Sequence, residues 1–185
     1  MALRKALAYS HHYARPNTRT SRVKGKAYIK VVPHNKVVKY NLGNQKAHME
    51  GKFPLKLTMI SEEAVQIRDN AIEAARMLLT KQLDERLPLL YYLELKVHPH
   101  HILRNNKTAA GAGADRLSSG MSRSFGTVEG RAALVSAGKP LFVIYCADEA
   151  AARIVRETFA MTKSKLPCAT RVLFERLAPL AKTTN

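Results

Sequence analysis

The sequence predicts an α/β fold: two helices packed on a mixed or antiparallel sheet, with a basic extended N-terminal arm and a long Gly-rich loop between two of the strands. Three observations predict it. Residues 61–86 and 148–165 carry apolar positions at helical spacing, and the first of these segments ends before Pro88. Short runs such as 54–60, 89–97 and 141–146 have the length and β-type composition of strands. Finally, charge is concentrated in two places, the N-terminal 49 residues and the stretch 98–140, which sets those segments apart from a packed core.

The arm is residues 1–26. From Met1 to Met49 there are eleven Lys or Arg residues, and the first acidic residue is Glu50. A solvated face ordinarily mixes both signs, because interspersed charges repel less. Pro16, Gly25 and the small polar residues around them disfavour a continuous helix over 15–26 and point to an extended path, on which arginines can fork onto phosphates. Arg15, Arg19, Arg22, Lys24, Lys26 and Lys30 are the candidate contacts. The start lacks a long apolar h-region, and its basic character runs well past the length of an amphipathic transit segment, so the arm is expected to stay on the protein.

After the arm, 27–32 and 37–40 read as two β runs around a turn at Pro33-His34-Asn35, and 42–44 as a further turn. Residues 54–60 form the next strand. Ser61 then reads as the N-cap of a helix reaching about Arg86, with Glu62 and Glu63 in its first turn. In 89–97, Leu93, Leu95 and Val97 alternate with Tyr92, Glu94 and Lys96, as in a half-buried strand. The unbroken apolar run 141–146 reads as a central strand. Asp148 and Glu149 open the second helix, whose stripe is Ala151, Ile154, Val155, Thr158 and Phe159. Pro167 closes it, and 170–174 returns to the sheet. Residues 27–178 are thus expected to form one α/β domain, followed by a flexible tail, 179–185.

Composition bounds the function. The 185 residues are 46% hydrophobic, enough for a core, and carry a formal charge of +17. Such an excess points to a polyanion, with nucleic acid foremost. No apolar stretch approaches the roughly 20 residues of a spanning helix, so no membrane partner is expected. Cys146 and Cys168 make no CxxC pair and read as free thiols in a reducing compartment.

The segment between Val97 and Leu141 has the most distinctive chemistry. Its cations Arg104, Lys107, Arg116, Arg123, Arg131 and Lys139 face only Asp115 and Glu129, and Gly111, Gly113, Gly120, Gly126 and Gly130 stand among them. Glycines let backbone amides approach a phosphate closely. The run 111–116 completes neither a dinucleotide fingerprint nor a Walker loop. His98, His100 and His101 lack the Cys or carboxylate spacing of a metal site, so no metal and no cofactor is expected, and the three rings suit RNA better. Nothing in the chain marks an enzyme.

His98-Pro99-His100-His101-Ile102-Leu103-Arg104-Asn105-Asn106-Lys107, Gly113-Ala114-Asp115-Arg116-Leu117, Gly120-Met121 and Ser124-Phe125-Gly126 together resemble the archaeal and eukaryotic large-ribosomal-subunit proteins of the L-ten-e family, counterparts of bacterial L-sixteen. The similarity continues more weakly from Arg15 to about Glu175, through Phe53-Pro54 and Glu73-Ala74-Ala75-Arg76. The resemblance implies a non-catalytic, cytoplasmic protein within the large subunit. Its partners would be large-subunit ribosomal RNA, neighbouring ribosomal proteins and, transiently, aminoacyl-site tRNA. It also implies that the loop of about 104–115 points toward the peptidyl-transferase centre, with Arg104, Asn105, Asn106, Lys107, Thr108, Gly111 and Gly113 on the tRNA side. The sequence departs from the family pattern at Ser122, Thr127, Arg131 and Leu134. The competing readings are a free-standing nucleic-acid-binding regulator and a nucleotide-using enzyme. The first helix offers Glu62, Glu63, Asp69 and Glu73 where a major-groove reader would carry cations, and the enzyme lacks a complete phosphate motif.

Overall fold

A computed structural model describes residues 16–20, 28–105 and 126–177. Within them the order is β1 (Asn41–Gly43), α1 (Gln45–Met49), β2 (Leu55–Ser61), β3 (Val65–Arg68), α2 (Asp69–Arg86), β4 (Tyr91–Leu95), β5 (His101–Asn105), β6 (Thr127–Val135), β7 (Pro140–Cys146), α3 (Glu149–Thr162), a 3-10 turn (Lys163–Lys165) and β8 (Thr170–Arg176).

The strands form two sheets. Five pair in the order β1-β4-β7-β2-β8 and three in the order β3-β6-β5, and every pairing is antiparallel. The unbroken apolar run does become the central strand, β7. Its Ile144 stands between Leu57 of β2 and Leu93 of β4, and all three are fully buried. Period 2 puts Leu55, Leu57 and Met59 on the same face as Leu93 and Ile144, and there they join one core with Ile72, Ala75, Leu79 and Leu83 of α2 and Val155 and Phe159 of α3. Each of the larger side chains among them contributes about 1.5–3 kcal/mol on leaving water.

Four sequence expectations change. The first helix does not begin at Ser61. Val65–Arg68 is a strand paired with 132–135 of β6, and the helix starts at Asp69. Ser61 ends β2, buried, with its hydroxyl donating to the Glu63 carbonyl at 2.7 Å. All four β3 residues are buried, Gln66 and Arg68 included, so the segment shows no polar/apolar alternation to mark it as a strand. Second, residues 28–40 are not a hairpin, because they pair in no sheet. Their β-branched residues favour an extended chain, but side chains from elsewhere take the Tyr28 and Pro33 carbonyls. Third, the sheet is not single, since β5 and β6 leave the main one and take β3 with them. Fourth, there is a five-residue helix, α1, ahead of the two long ones. Asn44 caps it by accepting from the Ala47 amide at 3.0 Å.

The turn into α1 depends on Gly43, whose φ is +86°. Beyond it, Asn44 donates its backbone amide to the Tyr91 carbonyl at 2.9 Å.

Candidate nucleic-acid interface

The β5–β6 hairpin carries the distinctive segment. Its stems close at Asn105 opposite Thr127, and the Thr127 hydroxyl donates to the Asn105 carbonyl at 3.2 Å. Two arginines on this hairpin reach residues 28–33, which belong to no sheet: Arg104 donates to the Tyr28 carbonyl, and Arg131 Nε donates to the Pro33 carbonyl at 2.8 Å. A segment with no ladder partner needs such donors, because peptide carbonyls are obligatory acceptors. Between the hairpin root and the clasped segment lies a cleft of about 400 Å³ lined by Tyr28, Lys30, Val31, Pro33, Arg104, Gly126, Thr127 and Val128.

Residues 98–101 alternate. His98 and His100 are exposed, whereas Pro99 and His101 are buried. In an extended chain, positions two apart share a side, so the two exposed rings lie over one another, with centroids 5.9 Å apart and planes 15° from parallel. Tyr40 also stacks on His98, 4.4 Å away at 23°. Burial lowers the pKa of His98, and the neighbouring charges of His100 and Lys139 lower it further.

His101 plays a different part. Its Nδ1 accepts the backbone amide of Asn17 at 2.8 Å, and the Asn17 carbonyl accepts from the Ile102 amide at 3.0 Å. Burial depresses its pKa as well, which favours the neutral ring that this acceptor role requires. Residues 16–20 are therefore strapped along β5, and the Arg19 carbonyl is satisfied by the Ile29 amide at 2.8 Å.

Of the residues singled out in the sequence, Lys30, Arg104 and Arg131 come together around residues 28–33, while His98 and His100 form a separate stack. His101 lies inside, and half-buried Arg19 lies on the strap. Asn105 marks the loop root. Arg15, Arg22, Lys24, Lys26, Asn106, Lys107, Thr108, Gly111, Gly113, Arg116 and Arg123 lie outside the described residues, as do most of the arm and loop. Sequence reasoning missed Asn17, Tyr40 and a second ring cluster. In that cluster His48 of α1 stacks on Tyr92 at 4.5 Å and meets Tyr145 at 4.2 Å. The i, i+2 histidines around a proline were the available signal for the Tyr40 stack, whereas the second cluster joins three distant elements and leaves no local trace.

The helices supply the electrostatic contrast. Together α2 and α3 hold six acidic and five basic residues, a net charge of −1 in a chain of +17. The excess positive charge therefore lies off the helix layer. Among the described residues no group of His, Cys, Asp or Glu is placed to hold a metal ion, and no helix is long and apolar enough to cross a membrane.

Residues 15–173 match the family model described as ribosomal protein L16p/L10e. Proteins named large ribosomal subunit protein uL16 are similar along nearly the whole length. The one from Archaeoglobus fulgidus is 40% identical over 169 residues, covering 91% of each chain. That from Staphylothermus marinus is 38% identical over 180 residues, 97% of each. That from Pyrobaculum arsenaticum is 40% identical over 176 residues, 95% of this chain and 93% of its own.

Proposed function

The chain belongs to the ribosomal protein L16p/L10e family, and on that premise we propose that it is a structural constituent of the large ribosomal subunit, binding ribosomal RNA and neighbouring ribosomal proteins without a catalytic role. The observation that carries this reading is the match over 15–173 with relatives named for that subunit. The distribution of charge supports it, since a chain of +17 with near-neutral α2 and α3 carries its excess cations outside those helices, many of them in residues 1–26 and 98–140.

In this reading Arg15, Arg19, Arg22, Lys24, Lys26, Lys30, Arg116, Arg123 and Arg131 neutralise phosphates, and the loop from Arg104 to Asp115 serves the aminoacyl-tRNA side of the peptidyl-transferase centre. Arg104 and Arg131 have a second duty, because each also holds a backbone carbonyl of residues 28–33. His101 acts indirectly by tying Asn17, and with it the strap, to β5. Residues 1–26 act as the RNA-binding arm of the adjoining domain.

Sedimentation of the native protein through a density gradient tests the function. Co-migration with large subunits, reduced by raising the salt, is the expected result. A free species at low salt would overturn the assignment.

A further inference from the structure

The rings of Tyr40, His98 and His100 are already stacked in the protein by itself, and His100 among them is exposed. Three features of the chain build it. Pro99 is buried between two exposed histidines, so it anchors the segment while its neighbours project to the same side. Tyr40 is fixed at both ends: its carbonyl accepts from the Leu95 amide at 2.8 Å, and its hydroxyl accepts from Asn35 Nδ2 at 2.9 Å. Asn35 is itself oriented, because its Oδ1 accepts from the Val37 amide at 3.1 Å. The base of the stack therefore has little freedom left to lose when something is added to it.

We propose that Tyr40, His98 and His100 form a stacking platform for one unpaired RNA base, which lies on His100 as the fourth ring. This rests on the reading that the chain binds ribosomal RNA. A base suits the site better than a phosphate does. The stack is built of aromatic rings, centroids 4.4 and 5.9 Å apart with planes 23° and 15° from parallel, an arrangement that a further flat ring can extend. His98 is biased toward its uncharged form by burial and by the adjacent His100 and Lys139, so its ring offers π surface rather than a cation. Lys139, exposed and close enough to influence His98, supplies the positive charge for the phosphate that accompanies the base. Unpaired bases splayed onto aromatic side chains are the usual way in which RNA is gripped outside its helices.

The test uses the full chain with large-subunit ribosomal RNA, reading base accessibility by chemical probing and affinity by filter binding, with His100→Ala, His100→Lys and His100→Phe. His100 is exposed, so all three variants should melt with the wild type. Ala and Lys are expected to uncover one or two unpaired bases and to weaken binding roughly tenfold, whereas Phe, which keeps the ring and discards any charge, keeps both protection and affinity. Protection retained by Lys and lost by Phe would overturn the proposal in favour of a charge contact. Unchanged protection in all three would overturn it outright, as would a photo-cross-linker at position 100 that couples to protein and not to RNA in assembled subunits. A wild-type chain that protected no ribosomal RNA at all would instead defeat the RNA-binding reading on which the proposal rests.

Discussion

Gly43 sits so close beneath Tyr91 that a Cβ on the glycine would stand 2.4 Å from the tyrosine's carbonyl oxygen. That oxygen is not free to move away, because it accepts the Asn44 amide that begins the turn into α1. Gly138 has a similar positive φ, +79°, but open space where its Cβ would be. The two positions separate backbone strain from collision. Gly138→Ala is expected to cost about 1 kcal/mol from the left-handed conformation alone. Gly43→Ala is expected to cost more than about 3 kcal/mol, because strain and clash combine. Denaturant melts of both variants check this; equal losses would mean that the β1–β4 edge yields easily.

Glu73 joins two parts of the fold, α2 and the segment that precedes β1. Its carboxylate receives Arg76 through Nε at 2.8 Å and through the terminal nitrogen at 2.5 Å, and it also faces the Val38 amide at 3.4 Å. The hydrogen bond from Arg76 is the main reason that its pKa lies below the ordinary carboxylate value. A depressed carboxyl stabilises the fold fully above about pH 4.5, and that stabilisation fades as pH falls through the lowered folded-state value. Glu73→Gln is expected to lose about 1–2 kcal/mol at pH 7 and to flatten the acid limb of the stability curve. Thermal melts between pH 3 and 7 measure both; an acid limb identical to the wild type would remove Glu73 from the account.

The strap gives a second pH test. His101 is buried with its pKa depressed below 6.5, so its contribution to stability is present above that pH and is lost as pH falls and the ring must take a proton. Protonating Nδ1 also turns an acceptor into a donor facing the Asn17 amide. His101→Asn places an acceptor oxygen near the same position without a titrating ring. The wild type is expected to lose more stability between pH 7.5 and 5.5 than the Asn variant does. Proteolysis near Arg19 should quicken over the same range only in the wild type, and parallel behaviour of the two proteins would refute the link.

For the loop, replacement of residues 107–113 by a short Gly-Ser link should leave melting nearly unchanged, because loop-closure entropy varies slowly with length and these small residues offer little to bury. Reconstituted subunits carrying the variant are expected to accept aminoacyl-tRNA more slowly or to stall late in maturation. Normal accommodation and assembly with a large fall in melting temperature would make the loop structural.

What could be read from the sequence was whatever local pattern determines. The unbroken run at β7 became the central strand, and Ala151, Val155, Thr158 and Phe159 became the buried stripe of α3. Val65–Arg68 escaped because a short strand buried on both faces has no period, and its Val65 and Ile67 fitted the helical spacing of α2 just as well. Residues 28–40 misled for the opposite reason. Val31, Val32, Val37 and Val38 have strong β-propensity, yet of these only Val37 is buried, and the segment is held by Arg104 and Arg131 from far along the chain. The histidines were recognised as a group, but their division into two outward rings and one inward tether depends on which side of β5 faces Asn17.

With near-neutral α2 and α3, the excess positive charge of the molecule lies outside its two long helices. An uneven charge distribution feels a torque near a polyanion before the surfaces touch. The chain would be drawn in by its cation-rich segments, with α2 and α3 adding little to the attraction. Orientation is then selected during diffusion and not by trial collisions. This advantage shrinks as added salt shortens the Debye length from about 10 Å at 0.1 M toward about 3 Å at 1 M, so that the association rate falls even where every final contact can still form.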